Sequence, residues 1–518
     1  MTTATTDVAS AEPTSASYEK LMGLVREASL LSSSASLLGW DQETHMPPGG
    51  LDHRSNQLAQ LARMTHEMQT DPKIDDLLGE CEADSQLMAD PISIPAINVR
   101  ELRHSYTRQT KLPASLVEAF AQTTSRSRAA WVDARKNSDF ARFQPWLEKL
   151  VKLMQEQAAC YGWADDGEPW DALAEDYEPG CTAKQVAEVF GPLREKLVGL
   201  IGSLNASASK PSDAFNQLKL PIEKQEAFVK YVAAEIGFDF NRGRLDISTH
   251  PFCSGTHCND IRMTTRFQDH FLIDALGSTM HESGHGIYEQ NLPGGTNIGT
   301  PFGSSVSLGI HESQSRMWEN QVGRSQAFWK WCYPKLKEFF GNDVEGFSFD
   351  AVYGACNVVK PDFIRVEADE ATYNLHIMVR FEIERAIMKG DLAVADVPDA
   401  WNQKYKDYLD LDVPDDARGC LQDIHWSLGS MGYFPTYTLG NLYCAQFFEQ
   451  AMLDIPDLYS QFEQGEFGAV KDWLVKNILS QGKRYRAADL CKVVTGKPLS
   501  ADPLLRHLQQ KLNPLYGV

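Results

Sequence analysis

The chain has 518 residues and a hydrophobic fraction of 43%, which is enough for a sizeable core in one large domain or in several smaller ones. Its 70 acidic and 49 basic side chains leave a formal net charge of −21, so nucleic acids and anionic membrane surfaces are not expected partners. No apolar run in the sequence approaches the ~20 residues that a membrane-spanning helix needs.

The N-terminal 17 residues are rich in Thr, Ser and Ala, with neither a basic start nor an apolar stretch. They do not resemble a secretory signal, so we expect a disordered tail over residues 1–17 and a single domain over residues 18–518. The ten cysteines are scattered without a regular framework. This usage is typical of a reduced protein, and it predicts a cytoplasmic location.

Helical patterns dominate the first 235 residues. A periodic apolar stripe predicts helix over residues 18–69, with a break where two prolines and two glycines occupy Pro47–Gly50. Residues 70–235 continue as an almost wholly helical region. Thr182 is a predicted N-cap within it.

The pattern changes near residue 237. Apolar and polar residues alternate around Leu245 and again from Ile261, which predicts two or three short antiparallel strands within residues 237–267. The unpaired edge of such a sheet could hold an extended peptide by main-chain hydrogen bonds. The segment between the strands also offers three candidate ligands for a second metal site, Cys253, His257 and Cys258. Their spacing matches no standard zinc arrangement, and a fourth ligand is missing.

The central motif is His281-Glu-Ser-Gly-His285. On a helix, positions i and i+4 face the same way, so both imidazoles can reach one metal ion. Glu282 lies close enough to take a proton from a water molecule at that ion. This H-E-x-x-H pattern is typical of zinc peptidases, and the surrounding apolar period supports a helix that ends at Leu292–Gly295. The alternative is a pair of histidines on an ordinary buried helix.

A second helix over residues 308–322 follows a loop rich in Gly and Ser. Its Glu312 is a candidate third ligand, which would complete a site of two His and one Glu. His311 is a rival ligand on the same turn, and an exposed helix charge is the alternative interpretation of Glu312.

Residues 323–515 return to helical patterns. Within them, His425 precedes Tyr433 and Tyr437 in a Gly-rich turn. Such side chains can donate hydrogen bonds to a developing oxyanion. A buried cluster of His and Tyr without a catalytic role is the alternative.

Six ordered motifs resemble those of the carboxypeptidase Taq metallopeptidases, peptidase family M32, and the resemblance extends from the Trp40 segment to the C-terminus. The motifs are His250-Pro-Phe252, Asp260-Ile-Arg262-Met-Thr264, His281-Glu-Ser-Gly-His285, His311-Glu-Ser-Gln-Ser315, Ile364-Arg365 with Ala368-Asp369, and Gly419-Cys-Leu-Gln422-Asp-Ile-His425-Trp426. The resemblance implies a mostly α fold, with one large helical zincin-type domain similar to the angiotensin-converting enzyme and neurolysin type. It also implies a deep active-site groove and a small antiparallel β-sheet next to the metal helix.

The same resemblance implies a zinc ion, replaceable by cobalt, held by His281, His285 and Glu312 rather than by His311. It implies Glu282 as general base, and a homodimer that removes single residues from peptide C-termini with broad specificity and poor action before proline. Many zincins place an acidic residue four positions after the ligand Glu to orient a ligand His. That position is Arg316 here, so this partner is unassigned.

Further roles are assigned to six side chains. The oxyanion would be held by the metal with His425 and with Tyr433 or Tyr437. Reading of the substrate's C-terminal carboxylate suits a guanidinium fork, so Arg262 and Arg365 are candidates, with His250 as a further substrate contact. The alternative functions are a dipeptidyl carboxypeptidase or oligopeptidase of the same fold, and a catalytically inactive peptide-binding scaffold.

Overall fold

The computed structural model of the protein describes residues 14–518, and most of them are helical, as predicted. The first ten helices are α1 (Ala16–Thr44), α2 (Leu51–Gln69), α3 (Pro72–Ala83), α4 (Ile94–Lys111), α5 (Ala114–Asn137), α6 (Gln144–Tyr161), α7 (Pro169–Ala174), α8 (Ala183–Ala206), α9 (Ile222–Glu235) and α10 (Leu272–Gln290). The next ten are α11 (Leu308–Arg316), α12 (Gln326–Phe340), α13 (Phe349–Cys356), α14 (Tyr373–Lys389), α15 (Val397–Leu409), α16 (Pro435–Asp454), α17 (Leu458–Gln464), α18 (Gly468–Asn477), α19 (Ala487–Thr495) and α20 (Asp502–Tyr516).

The predicted N-terminal tail lies largely outside the described residues. Helix α1 begins at Ala16, so the boundary predicted at residue 18 falls inside the first helix. The predicted break at Pro47–Gly50 is confirmed, because α1 ends at Thr44 and α2 starts at Leu51.

Local capping explains where several helices start. The Thr182 side chain accepts a hydrogen bond from the Gln185 backbone N–H at 3.3 Å, and the Gln185 side chain accepts one from the Thr182 N–H at 3.1 Å. This reciprocal capping box satisfies two backbone donors at the start of α8, and it confirms the predicted N-cap.

A three-stranded sheet precedes the metal helix. It consists of β1 (Gly243–Ile247), β2 (Cys253–His257) and β3 (Asp260–Thr265), in the spatial order β1-β3-β2. The antiparallel prediction holds for β2 with β3 and is wrong for β1 with β3, which pair in parallel. The chain reverses after β1 and again after β2, so β3 returns in the direction of β1 and inserts between the two earlier strands. Alternating hydrophobicity locates strands but does not determine which strands become neighbours.

Close helix packing brings the two candidate ligand helices together. A Cβ atom on Gly284 of α10 would lie 2.5 Å from the Gln314 carbonyl oxygen of α11. A Cβ atom on Gly440 of α16 would lie 2.7 Å from the Glu312 Cβ. Larger residues at either glycine would push α11 away, so these positions hold Glu312 against the metal helix. Gly286, directly after the motif, packs against the ring of Phe238, so Gly284 and Gly286 both serve close packing around α10.

Candidate active site

Two histidines and one glutamate converge where α10 meets α11. His281 Nε2 lies 3.6 Å from Glu312 Oε2, and His285 Nε2 lies 3.5 Å from the same oxygen. Within residues 14–518 these three form the one group of three or more potential ligands whose donor atoms all lie within 4.8 Å of one another. Glu312 is buried, with 6% of its surface exposed, so it is not a solvated helix charge. Two imidazole nitrogens and a carboxylate oxygen suit a divalent metal of the zinc type.

Glu319 contacts the first of these histidines from behind. Its Oε2 lies 2.9 Å from His281 Nδ1, which leaves the Nε2 side of the ring facing Glu312. Arg316 bridges the two carboxylates, with Nε 2.7 Å from Glu312 Oε1 and Nη1 3.1 Å from Glu319 Oε2. Burial opposes ionisation of Glu319, but the Arg316 guanidinium, His281 and Arg324 together outweigh it and lower the pKa of Glu319 to about 2.

Sequence reasoning missed Glu319. The chain changes to a wider π-helical turn over Met317–Val322, directly after α11, and this turn carries Glu319 towards His281. A signal was present, because Glu319 follows Glu312 by seven residues, about two helical turns, and such positions share a helix face. The position four residues after Glu312 holds Arg316 instead of an acidic residue, and its guanidinium pairs with both glutamates.

His311 lies behind the second histidine. Its Nδ1 is 2.6 Å from His285 Nδ1, and its Nε2 is 2.8 Å from Glu289 Oε1. Both ring nitrogens of His311 are therefore engaged with these neighbours, and the group that converges contains Glu312 instead. Burial lowers the pKa of His285 to about 3, which keeps its imidazole neutral, as a metal ligand requires.

Glu282 is buried next to His281 and has one carboxylate oxygen without a partner within the protein. Its exposed fraction is 5%, and the oxygen without a hydrogen-bond partner is Oε2. Burial raises the pKa of Glu282 to about 7, although the neighbouring His281 acts in the opposite direction. A carboxylate with a free oxygen and a pKa near neutrality can both accept and return a proton at physiological pH.

His425, Tyr433 and Tyr437 form one aromatic cluster. The His425 ring centre lies 5.1 Å from that of Tyr433 and 6.4 Å from that of Tyr437, and the two tyrosine rings are 5.5 Å apart. Burial lowers the pKa of His425 to about 4, so its imidazole is neutral at pH 7. Its Nδ1 is buried without a partner within the protein. The three residues predicted to hold the oxyanion therefore lie together, and His425 Nδ1 has no hydrogen-bond partner within the protein.

Glu384 of α14 anchors the segment that carries this cluster. Trp426 Nε1 donates to Glu384 Oε1 at 2.9 Å, and the Gly432 N–H donates to Oε2 at 3.0 Å. The two donors flank the turn between His425 and Tyr433, so one buried carboxylate fixes both of its ends. Sequence patterns missed Glu384, since a glutamate within a helix normally lies on its solvated face.

Arg365 lies beside the same aromatic cluster. Its Nη2 pairs with Asp423 Oδ1 at 2.8 Å, and its Nη1 donates to the Tyr373 hydroxyl at 2.9 Å. The guanidinium carbon lies 5.0 Å from the ring centre of Tyr437. Arg365 is 6% exposed, and these partners hold its fork in one orientation.

The other predicted substrate contacts, Arg262 and His250, lie on the sheet and on its first loop. Arg262 on β3 pairs with Asp260 at 3.0 Å, and its guanidinium stacks 4.3 Å from the ring centre of the buried Trp40. His250 lies exposed on the loop from β1 to β2, where its carbonyl oxygen accepts a hydrogen bond from the Ser248 hydroxyl. The structure therefore groups Arg365 with the His425 cluster and directs Arg262 towards α1.

The predicted second metal site does not assemble among the described residues, because within residues 14–518 only the His281 group brings three potential ligand atoms within 4.8 Å of one another. Cys253 starts β2, whereas His257 ends it and Cys258 follows. The Cys258 sulfur lies 3.8 Å from His257 Nδ1. Opposite ends of an extended strand cannot share one ion, because each residue advances the chain by ~3.3 Å.

Sequence comparison identifies relatives along nearly the whole chain. The family model for the carboxypeptidase Taq (M32) metallopeptidases matches residues 20–512. Thermostable carboxypeptidase 1 of Thermus thermophilus is 42% identical over 509 residues, covering 97% of this chain and 99% of that protein. Carboxypeptidase 1 of Bacillus subtilis is 37% identical over 96% of this chain and 99% of its own length.

Solved structures show the same fold. An M32 carboxypeptidase from Deinococcus radiodurans superposes with a TM-score of 0.93 at 38% identity, covering 97% of this chain and all of that one (100%). Trypanosoma cruzi metallocarboxypeptidase 1 superposes with a TM-score of 0.89 at 33% identity, over 96% and 99% of the two chains. This chain belongs to the carboxypeptidase Taq (M32) family, and it is a metallocarboxypeptidase that hydrolyses peptide bonds with a divalent metal.

Proposed function

We propose that the protein is a zinc-dependent carboxypeptidase that removes single residues from peptide C-termini, with broad specificity and poor action before proline. The observation that carries this proposal is the convergence of His281, His285 and Glu312 beside a buried Glu282 whose Oε2 has no partner within the protein. In the proposed site, the first three side chains hold the ion and Glu282 faces the attacking water. Cobalt is expected to replace zinc in the same donor set.

A zinc ion bound there would supply Lewis-acid chemistry, which polarises the scissile carbonyl and acidifies a water molecule. Glu282 accepts the proton of that water through Oε2 as attack begins, and it then delivers the proton to the leaving amine. Its pKa of about 7 suits both roles, because neither protonation state is strongly disfavoured. Glu319 keeps the His281 ring oriented throughout.

His425 and the two tyrosines are proposed to stabilise the oxyanion. His425 is neutral and lacks a partner at Nδ1, while Tyr433 and Tyr437 pack against its ring system. Hydrogen-bond donors held in place before the reaction are effective because no reorganisation is needed as charge develops. The anchoring of this turn by Glu384 supports that arrangement.

Arg365 is proposed to read the substrate's C-terminal carboxylate. It lies beside Tyr437, whereas the Arg262 guanidinium is stacked on Trp40. Arg262 and His250 are proposed to contact the rest of the peptide from the sheet side. Strand β2 is one edge of that sheet, and a Cβ atom on its Gly255 would lie 3.5 Å from Glu289 Oε2 of α10. This edge therefore lies along the metal side of α10, where it can pair with an extended peptide.

We also propose that the enzyme is a cytoplasmic homodimer organised as one peptidase domain over residues 18–518. The cytoplasmic proposal is supported by ten cysteines that are all free thiols. Within residues 14–518, no helix is both long and apolar enough to cross a membrane. Light scattering on the purified protein tests the dimer, because a mass near the 57.9 kDa of one chain would contradict it.

Mass spectrometry of a mixed peptide pool tests the proposed activity. We expect the zinc-loaded protein to produce ladders that shorten by one residue at a time from the C-terminus, and a chelator to abolish them. Losses of two residues, or internal cuts, would instead support the dipeptidyl carboxypeptidase or oligopeptidase alternatives. No products with either zinc or cobalt would favour a peptide-binding scaffold.

A further inference from the structure

One face of α10 is open along its length, although the helix is otherwise buried. Asp274, Gly277, His281 and His285 are partly exposed, while the residues on the opposite face are buried. These positions recur at intervals of three or four residues, so they form one stripe along the helix. The ligand histidines therefore share an open surface with residues two turns before them.

Gly277 leaves a space on this stripe. A Cβ atom at Gly277 would have no heavy atom within 4 Å, whereas a Cβ at Gly284 would lie within 3 Å of the α11 backbone. Gly277 precedes His281 by four residues, one helical turn, so the space adjoins the metal ligands. Because residue 277 has no side chain, room remains one helical turn before His281, and helix packing does not fill it.

An ion-pair bridge closes the far end of this space. Arg266, which follows β3, places Nε 3.3 Å from Asp274 Oδ2 and Nη2 3.3 Å from Glu367 Oε1. Thr265 and Ser278 join their hydroxyls at 2.7 Å beside it, which ties the end of β3 to α10. Asp274 precedes His281 by seven residues, so the bridge lies about 10 Å from that ligand along the helix axis.

Glu367 of this bridge belongs to the same turn as Arg365, which is proposed to bind the substrate's C-terminal carboxylate. Arg365 and Glu367 lie in one 3₁₀ turn, Arg365–Glu367, in which Arg365 is buried against Asp423. An extended peptide advances ~3.3 Å per residue, so few residues fit between the metal and the Arg266 bridge. This end of the stripe is thus suited to the last residue of a peptide whose carboxylate meets Arg365.

We propose that the space over Gly277 is the subsite for the side chain of the substrate's C-terminal residue, with the Arg266–Asp274–Glu367 bridge as its far wall. The proposal rests on the proposed single-residue carboxypeptidase function. The glycine floor gives the subsite room for large side chains, which accounts for broad specificity. The wall carries one positive and two negative side chains, so it favours uncharged or basic terminal residues over acidic ones.

Substitutions of Gly277, the floor of the proposed subsite, test its position. Gly277→Leu and Gly277→Ala are compared with wild type on two peptides that differ only in a C-terminal Phe or Ala. Filling the space should lower the Phe-to-Ala ratio of kcat/KM by on the order of 10-fold for the Leu variant, and by less for the Ala variant. Bound zinc and the circular dichroism spectrum should match wild type, because a Cβ atom at residue 277 meets no heavy atom within 4 Å.

Gly202→Leu is the matched control. Gly202 lies exposed on α8, and a Cβ atom there also meets no atom within 4 Å. Leucine at this position therefore changes helix propensity as it does at Gly277, but it adds no atoms near the proposed subsite. An unchanged ratio in an active, folded Gly277→Leu protein would overturn the subsite while the proposed function stands. A wild-type protein that released no single C-terminal residue from either peptide would overturn the proposed function and the subsite together.

A second substitution tests the wall independently of the floor. Glu367→Gln removes one negative charge from the wall, so cleavage of a Glu-terminated peptide should rise several-fold relative to an Ala-terminated one. Glu345→Gln removes an exposed charge elsewhere and should leave that ratio unchanged. Equal behaviour of the two variants would refute the placement of Glu367 at the subsite.

Discussion

Removing Glu319 should weaken metal binding without touching a ligand. In Glu319→Ala, the His281 ring loses the carboxylate that lies 2.9 Å from its Nδ1. The His281 ring can then rotate, and its Nε2 becomes a weaker ligand for the metal. Arg316 keeps Glu312 as its remaining carboxylate partner. Glu319→Gln keeps an acceptor near Nδ1 but removes the charge, so it should have an intermediate effect.

Loss of such a partner typically costs 10- to 100-fold in metal affinity. This range corresponds to about 1.4–2.7 kcal/mol of binding free energy. We expect the upper half of the range for Glu319→Ala, because the Glu319 side chain is only 13% exposed and water replaces it poorly. Competition with a chromogenic zinc chelator at fixed pH measures the dissociation constant directly.

Glu345→Ala is the matched control, because Glu345 is an exposed glutamate that precedes α13. It should bind zinc as the wild type does. A folded Glu319→Ala protein with wild-type zinc affinity would refute the role assigned to Glu319, whatever its activity. An equal loss in the control would assign the effect to net charge instead of to ring orientation.

Three further substitutions test other parts of the account. Glu178 is buried before α8, and its Oε2 accepts a hydrogen bond from the Gly309 N–H of α11 at 2.9 Å. Burial raises the pKa of Glu178 from 4.5 to about 7, so its contribution to stability is fully present below pH ~4.5 and is lost as the pH rises through ~7. Glu178→Gln should therefore gain stability relative to wild type between pH 5 and pH 8, by at most about 3 kcal/mol, and denaturant titrations with a difference independent of pH would contradict this. Arg365→Lys keeps the positive charge but loses the guanidinium fork, so kcat/KM should fall by about 100-fold on peptides with a free C-terminus. An unchanged kcat/KM would exclude Arg365 as the residue that binds the substrate's C-terminal carboxylate. His425→Ala should lower kcat by about 10²–10³ with little change in KM, and a change confined to KM would move His425 from the oxyanion to substrate binding.

The sequence pattern predicts the two histidines at the centre of the site, because the geometry of a helix depends on local spacing alone. His281 and His285 are four residues apart, and this spacing alone places them on one face of a helix that the structure contains as α10. Spacing could not choose between His311 and Glu312, because adjacent helical residues differ by about 100° in direction and the packing of α11 decides which one faces α10. The close contact of Gly284 with the α11 backbone determines that packing.

The features that sequence reasoning missed depend on irregular or distant structure. Glu319 reaches His281 through a π-helical turn, and the propensities of Met317–Val322 do not indicate this departure from α-helical geometry. Glu384 contacts Trp426 across 42 residues of chain, a pairing that no local pattern encodes. The parallel pairing of β1 with β3 was missed for the same reason, since it depends on where the chain returns after β2.

The central claim is that Glu282 moves the proton while three other side chains hold the metal. The most direct test is to measure bound zinc and turnover together in Glu282→Gln, which keeps the size of the side chain and removes its basicity. We expect one zinc per chain, as in wild type, with kcat reduced by about 10²–10⁴. A variant that keeps its zinc and most of its turnover would contradict the assignment of Glu282 as the general base.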